Sequence, residues 1–525
     1  MEKRLLLLGD EAIAQAALDA GISGVYAYPG TPSTEITEYV QTVQRECNTG
    51  VHCDWSSNEK TAMEAGLGMS YAGKRAMVCM KHVGLNVAAD AFVNAAITGV
   101  NGGLVVVVAD DPSMHSSQNE QDSRYYGGFA HIPVIEPSSQ QEAYDMIFEA
   151  FDISEEFNVP VLMRITTRLA HSRADVRRRK TLPQRERSYP TDDTQFVLLP
   201  SNARRNYSAL LAKEPSLIAY SEAAAVFIDG ANRKTGIIAA GIAVNYVHEC
   251  FREQVSSCPV LQISHYPLPR KQIRELCAAC DEVLVAEEGA PLIEELLIGV
   301  LPNGVKIRGR LDGSLPRTGE LTPDEIASAL GMPGVDEDAA HEHIRGRPPQ
   351  LCKGCSHIDS FNFINECLKG HSEARVFSDI GCYTLGALPP FSAIHSCVDM
   401  GASLTMAKGA ADAGVHPSLA VIGDSTFTHS GITGLLDIVY ENTDVVILIL
   451  DNEITAMTGG QESLATGRLE QIVAGIGVPA EHIRVVNPLA KHHAENLAVL
   501  ADEIAHKGVS VIIPRRACIH NKRRV

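Results

Sequence analysis

The chain has 525 residues, enough for about three or four domains, and its 64 acidic against 45 basic side chains give a net charge of −19 that argues against nucleic acid or anionic membrane as a partner. The start holds only Leu5 to Leu8 as an apolar run before Gly9-Asp10-Glu11, too short for a secretory leader, and no stretch approaches the ~18 apolar residues of a membrane span. Thirteen cysteines are then expected to be reduced thiols or metal ligands in a cytoplasmic protein.

From Arg4 to about Thr167, short β-rich runs alternate with amphipathic stretches. Leu5–Leu8, Val25–Tyr28, Ala76–Met80, Leu104–Ala109 and Val159–Arg164 are expected strands, with helices such as Glu11–Ala20, Thr34–Arg45, Thr61–Ala72 and Gln141–Phe151 between them. That alternation predicts a parallel sheet covered on both faces. The charged, proline-containing stretch from Ser172 to Asn206 is expected to be linker, its Arg173–Arg179 run a solvated face. A second α/β unit follows, with strands Thr235–Ala240, Val260–Ile263, Glu282–Ala286 and Val305–Ile307, and Pro316–Pro349 reads as a second linker. From Leu351 the rhythm returns, with strands Arg375–Asp379, Ser418–Ile422, Val445–Leu450 and Val509–Ile512.

In the last segment, Gly423-Asp424-Ser425 closes one apolar run and Asp451-Asn452 closes the next, roughly 28 positions later. One strand-helix-strand unit brings such ends together. Asp424, Asn452 and a backbone carbonyl would suit Mg²⁺ with a diphosphate, since Mg²⁺ takes octahedral oxygen ligands and commonly phosphate oxygens among them. Alone, Gly-Asp and Asp-Asn serve equally as strand-to-loop punctuation. Thiamine diphosphate also needs a carboxyl facing N1′ of its aminopyrimidine, preferably in an apolar setting. Glu59 opens a helix rich in small residues and is a candidate, with a capping box Ser56-x-x-Glu59 as the competing explanation.

Tyr28-Pro29-Gly30-Thr31-Pro32-Ser33, Lys81-His82-Val83-Gly84-Leu85-Asn86, Ala109-Asp110-Asp111-Pro112, His115-Ser116-Ser117-Gln118-Asn119-Glu120, Asp379-Ile380-Gly381-Cys382 and Gly423-Asp424-Ser425-Thr426-Phe427 occur in this order. Together they resemble the large subunit of indolepyruvate ferredoxin oxidoreductase, within the 2-oxoacid:ferredoxin oxidoreductases, over nearly the whole chain. The resemblance implies three doubly wound α/β domains of the thiamine-diphosphate-binding fold: aminopyrimidine-binding over 1–185, transketolase-C-terminal-like over 235–325 and Mg-diphosphate-binding over 351–525, with linkers at 186–234 and 326–350. It implies Glu59 as the N1′ partner and Thr31 as a contact for the 2-oxoacid carboxylate. Asp424, Asn452 and the carbonyl of Ile454 are implied as Mg²⁺ ligands, with Ser425, Thr455, Met457 and Thr458 near the cofactor. Gly401 and Ala402, entering a small-residue helix, would offer amides to the diphosphate. His357 would meet the diphosphate or orient its own loop, and His82 serves either a substrate contact or a structural hydrogen bond.

Members of this family carry a ferredoxin-like extension with closely spaced cysteines, and no such run occurs in this sequence. The wider superfamily also holds one [4Fe-4S] cluster in the diphosphate domain, and Cys352, Cys355, Cys382 and Cys518 stand at corresponding places. Buried free thiols, or a zinc-binding Cys-x-x-Cys pair, are the alternative. Cys277 and Cys280 lie in a helical pattern and are expected to pack. The implied reaction is oxidative decarboxylation of an aryl 2-oxoacid to the aryl-acetyl-CoA, with ferredoxin taking the electrons and CoA the acyl group. A small beta subunit and a dimer of heterodimers are implied. A non-redox thiamine diphosphate decarboxylase or lyase, which needs no cluster, and a non-catalytic subunit retaining the fold are the alternatives.

Overall fold

The computed structural model describes residues 4–192, 194–251, 257–298, 305–332 and 349–521. The chain divides into two compact units, Met1–Glu342 and His343–Val525. No helix among the described residues is long and apolar enough to cross a membrane.

In the first unit seven strands stand in the order His265–Tyr266, Val134–Ile135, Val161–Thr166, Leu104–Asp110, Ala76–Lys81, Gly24–Ala27 and His52–Trp55. All pair in parallel except the His265–Tyr266 edge. The strand Leu104–Asp110 is LVVVVAD and buried throughout, as a strand covered on both faces must be. Its alternation sorts the helices. Val105 and Val107 pack with Ala12, Ile36 and Phe151, whereas Val106 and Val108 pack with Ala62, Met63 and Phe92. A second sheet in the same unit runs Lys306–Arg308, Glu282–Ala286, Thr235–Ala240, Val260–Ile263 and Val226–Ile228, the last strand antiparallel.

Three sequence expectations are corrected here. Arg4–Leu8 is outside the parallel sheet and pairs antiparallel with Arg173–Arg177, inside the expected linker. Leu7 is buried while Leu6 is 65% exposed, so the leucine run supplies one buried face rather than two. The arginine run is also more than a solvated face, because Arg178 reaches the buried Asp19 at 2.6 Å. Second, the expected linker 186–234 holds the helices Pro200–Leu211 and Glu214–Ala224 and the edge strand Val226–Ile228. Its prolines start helices instead of breaking them: both helices carry proline in their first turn. Third, the helix Pro323–Ala329, capped by Thr322 with Glu325, lies in the second linker, of which residues 333–348 fall outside the described ones.

Between the two sheets of this unit lies a buried charge network that no periodicity announces. Arg164 is fully buried in a sheet strand and reaches Asp110 at 2.7 Å, the carboxylate of Glu136, and the Glu288 carbonyl at 3.0 Å. Arg124 pairs with Glu287 at 2.9 Å, and Tyr266 donates to Glu136 at 2.9 Å. Burial nevertheless outweighs these partners for the glutamates, pushing Glu287 and Glu288 each up to about 7.

The second unit is built on a six-stranded parallel sheet in the order Ser396–Cys397, Arg375–Ser378, Ser418–Gly423, Val446–Leu450, Ser510–Pro514 and Ile483–Val486, beside a short antiparallel pair, Ile454–Thr455 with Gln461–Glu462. The three larger sheets give the expected α/β class, with two of them sharing one unit.

Candidate functional site

In the second unit, Gly423 pairs in register with Leu450, so Asp424 and Asp451 leave neighbouring strand ends side by side, with Asn452 one position on. Asp424 is buried and its Oδ2 has no hydrogen-bond partner. Burial first, and then the charge of Asp451, push its carboxyl up to about 7. Asp451 itself is engaged, its Oδ2 receiving Arg515 at 2.6 Å. A cation beside Asp424 would satisfy both its orphaned oxygen and its displaced proton equilibrium, so the residues present fit an Mg²⁺ ion. Glu453 takes a left-handed φ of 71°, which turns the chain so that the Ile454 amide donates to Asn452 Oδ1 at 3.1 Å. Ser425 and Thr455 hydroxyls meet at 2.8 Å, and Thr458 bonds Gln461 at 2.6 Å, while Met457 is exposed. Ser425, Asn452, Ile454, Thr455 and Thr458 thus belong to one loop cluster around Asp424.

Gly401 and Ala402 lie at the start of the helix Ala402–Asp412. Gly401 has φ +94°, and a Cβ there would sit 2.6 Å from that of Ser430. Of the amides expected to face a diphosphate, that of Ala402 donates to the Asp399 carbonyl at 3.3 Å, and beside it Ser403 Oγ donates to the buried Asp379 at 2.6 Å. Tyr383 also donates to Asp379, and burial still pushes this carboxyl up to about 7. The Tyr383 ring explains two glycines of the motifs: a Cβ on Gly381 would lie 2.2 Å from it and one on Gly423 2.6 Å. His357 is buried edge-on to Tyr383 and pushed down to about 4 by desolvation, so it is neutral, and its burial favours the loop-orienting role.

The four cysteines come together. Burial and the thiols of Cys355, Cys518 and Cys352 push Cys382 up to about 11, and Cys355 is raised chiefly by burial, with the Ile358 amide donating to its carbonyl at 3.3 Å. The connections are specific. Cys518 donates its amide to the Asn452 carbonyl at 3.0 Å, and Arg516 joins Asp359 at 3.0 Å and the Gly354 carbonyl at 3.2 Å. No three of these sulfurs lie within 4.8 Å of one another, whereas thiolates around one zinc ion stand roughly 3.8 Å apart. Four thiols gathered in one place yet too widely set for one ion fit a polynuclear cluster better than zinc. Cys277 and Cys280 are buried, in keeping with packing.

In the first unit, the helix Glu59–Tyr71 is capped by Asn58, whose side chain accepts the Thr61 amide at 2.9 Å. Glu59 is therefore the first helical residue and no Ser56 capping box forms, which leaves its buried carboxyl for another task. Gly84 faces it: a Cβ there would lie 2.6 Å from Glu59 Cγ and Oε1. Lys81 Nζ donates to the Ser116 carbonyl at 3.0 Å, and Ser116 Oγ donates to the Thr31 carbonyl at 3.3 Å. The Lys81 stem packs on Gly30 and its charge meets Glu59, so Lys81 links the Thr31 loop with Glu59 at the C-terminal ends of parallel strands. Asp111 organises it. Burial opposes its charge, but hydrogen bonds from Thr167, Ser116 and Ser117 outweigh burial and hold it below the usual carboxylate range. His82 is buried against the Asn119 carbonyl at 3.2 Å, the structural alternative of the two expected for it. The sequence reading assigns no role to Asp379, Tyr383 or Asp111; Asp379 and Asp111 stand at strand ends, which is the signal that marks them.

Residues 15–197 match the family described as pyruvate flavodoxin/ferredoxin oxidoreductase, thiamine diphosphate-binding, and residues 379–513 match the C-terminal binding domain of thiamine pyrophosphate enzymes. The indolepyruvate oxidoreductase subunit IorA of Archaeoglobus fulgidus is 40% identical over 98% of this chain and 86% of its own length. The chain belongs to this family. The Pyrococcus abyssi member is 37% identical, with 98% of this chain and 86% of that protein covered. A solved 2-oxoglutarate:ferredoxin oxidoreductase from Magnetococcus marinus shares the fold, with TM-score 0.52, 17% identity and 63% and 65% of the two chains covered. The chain is thus an oxidoreductase subunit of the thiamine-diphosphate-dependent 2-oxoacid class, and the family's two binding modules fall one in each unit.

Proposed function

We propose that this chain is the thiamine-diphosphate-binding subunit of an oxidoreductase converting aryl 2-oxoacids of the indolepyruvate type to aryl-acetyl-CoA, with ferredoxin as electron acceptor and a small second subunit as partner. The observation that carries the redox reading is the gathering of Cys352, Cys355, Cys382 and Cys518 beside the Asp451-Asn452 strand end, tied to it by the Cys518 amide on the Asn452 carbonyl. When bound, thiamine diphosphate supplies an electron sink for loss of CO₂ from a 2-oxoacid, and a [4Fe-4S] cluster supplies one-electron steps.

The chain's own residues have these tasks. Asp424, Asn452 and the Ile454 carbonyl would hold Mg²⁺, and Ser425, Thr455 and Thr458 would line the diphosphate end. Glu59 would hold or release a proton at its buried carboxyl and would be the partner of N1′ of the aminopyrimidine. Thr31 would orient the substrate carboxylate, its loop held in place by Ser116 and Asp111. The aryl preference rests on the names of the relatives, which are indolepyruvate oxidoreductase subunits.

The test is anaerobic turnover of aryl, aliphatic and dicarboxylic 2-oxoacids with CoA and a viologen dye, using this chain with its small partner. Aryl substrates are expected to dominate kcat/KM, and failure with every 2-oxoacid would overturn the reading. Iron and acid-labile sulfide should accompany activity. A colourless, iron-free and fully active enzyme would instead mark a non-redox decarboxylase.

A further inference from the structure

Away from the pocket of Glu59, three side chains from three separate elements of the first unit converge: Asp10 in the helix Gly9–Asp19, Glu35 in the helix Thr34–Cys47 and His171 at the end of Thr167–His171. One ligand-type atom of each lies within 4.8 Å of the other two. We propose that Asp10, Glu35 and His171 form a mononuclear site for a borderline divalent cation of the zinc or cobalt type, which staples the loop bearing Thr31 to the N-terminal helix.

The buried carboxylate is the independent pointer. Asp10 is 0% exposed and neither of its side-chain oxygens has a hydrogen-bond partner, and Glu35 Oε2 also lacks one. A fully buried carboxylate set against a second, half-buried one needs a positive charge beside it. His171 reaches Glu35 only at ion-pair range, Nε2 to Oε2 at 3.6 Å, too long for a hydrogen bond, and leaves both oxygens of the buried Asp10 without a partner. That spacing suits ligands around a common centre, because atoms ~2.0–2.2 Å from a tetrahedral ion stand roughly 3.3–3.6 Å apart.

The donor set chooses the ion class. An imidazole beside two carboxylates favours zinc, cobalt or iron over calcium or magnesium, which take oxygen ligands alone. Asp10 and Glu35 both sit in the first turn of their helices, where the backbone favours their ionised, ligating forms. His171 is about one third exposed and gives the ion its way in. The result would be mechanical. Glu35 lies four residues beyond Thr31, so an ion here fixes the start of its helix and, through it, the Gly30–Ser33 turn, where Ser33 already bonds the Gly30 carbonyl.

The competing state is a proton shared between Asp10 and Glu35, with His171 as a protonated neighbour. Cobalt uptake separates the two. The full-length chain with its partner subunit is stripped with chelator, saturated with Mg-thiamine diphosphate and titrated with Co²⁺. Wild type is expected to take up about one equivalent more than Asp10→Asn or His171→Gln, with a visible spectrum free of thiolate charge transfer. The same cobalt should raise the wild-type melting temperature and leave that of both variants unmoved. Equal uptake by wild type and variants, or no uptake by wild type, would overturn the site in favour of the shared proton. Should Asp10→Asn fail to fold, His171→Gln decides alone, since its side chain is at the surface.

Discussion

Gly84→Ala isolates the role of Glu59. The added methyl would lie 2.6 Å from Glu59 Cγ and Oε1, where ordinary contact begins at 3.4 Å, so the carboxyl must retreat by close to ~1 Å. A displacement of that size at a reacting group costs about 100-fold, or about 2.7 kcal/mol of transition-state stabilisation. Stability should move the other way. Gly84 is in the first turn of the helix His82–Thr98, and alanine is favoured over glycine in helices by up to ~1 kcal/mol. The assay is kcat/KM for 2-oxoacid-dependent viologen reduction, beside the denaturation midpoint of the same preparation, for Gly84→Ala, Glu59→Gln and the double variant. The expected pattern is lost turnover, undiminished stability and a double variant no worse than Glu59→Gln. Full activity in Gly84→Ala, or an equal further loss in the Glu59→Gln background, would refute the idea that Gly84 exists to seat Glu59.

Three further outcomes follow from the same geometry. Glu288 rises from an ordinary 4.5 to about 7 on folding, so the folded state holds its proton more tightly and unfolding free energy falls as pH rises across that window, by up to ~3 kcal/mol; urea denaturation against pH should show this slope flattened in Glu288→Gln. Tyr383→Phe removes a donor from the buried Asp379 and should lower the stability of the second unit by ~1–3 kcal/mol, read from its denaturant midpoint; an unchanged midpoint would mean the carboxyl finds another donor. Arg164→Met leaves Asp110 and Glu136 buried without their cation and should cost ~3–5 kcal/mol in thermal unfolding, partly recovered by adding Glu136→Gln.

Much of the second unit's site was legible in the chain. Asp424 and Asn452 end consecutive apolar runs, and adjacent parallel strands carry such ends to one edge whatever the intervening helix does. The four cysteines were legible as a set only through the family resemblance, which pairs Cys352 and Cys355 with the distant Cys382 and Cys518. Glu59 was ambiguous, because Ser56-x-x-Glu59 reads as a capping box in sequence, whereas in the fold Asn58 caps the helix. Asp379 was not legible as a neighbour of the helix start at Gly401 and Ala402, because a helix N-terminus looks free in sequence and only the fold brings this carboxyl to Ser403. Prolines misled in the linkers, since the same residue ends one helix and begins another.

The sequence alone determined what depends on short-range order: the period-2 strands, the helices between them, the acidic strand ends and the family to which the motifs belong. Tertiary structure decided every matter of partnership between distant charges. Arg164 with Asp110 and Glu136, Lys81 beside Ser116, and Asp10 with Glu35 and His171 each join residues from separate elements. In sequence these are ordinary polar residues; burial makes their pairing compulsory, because a charge taken from water must find its counter-charge in whatever the fold brings alongside.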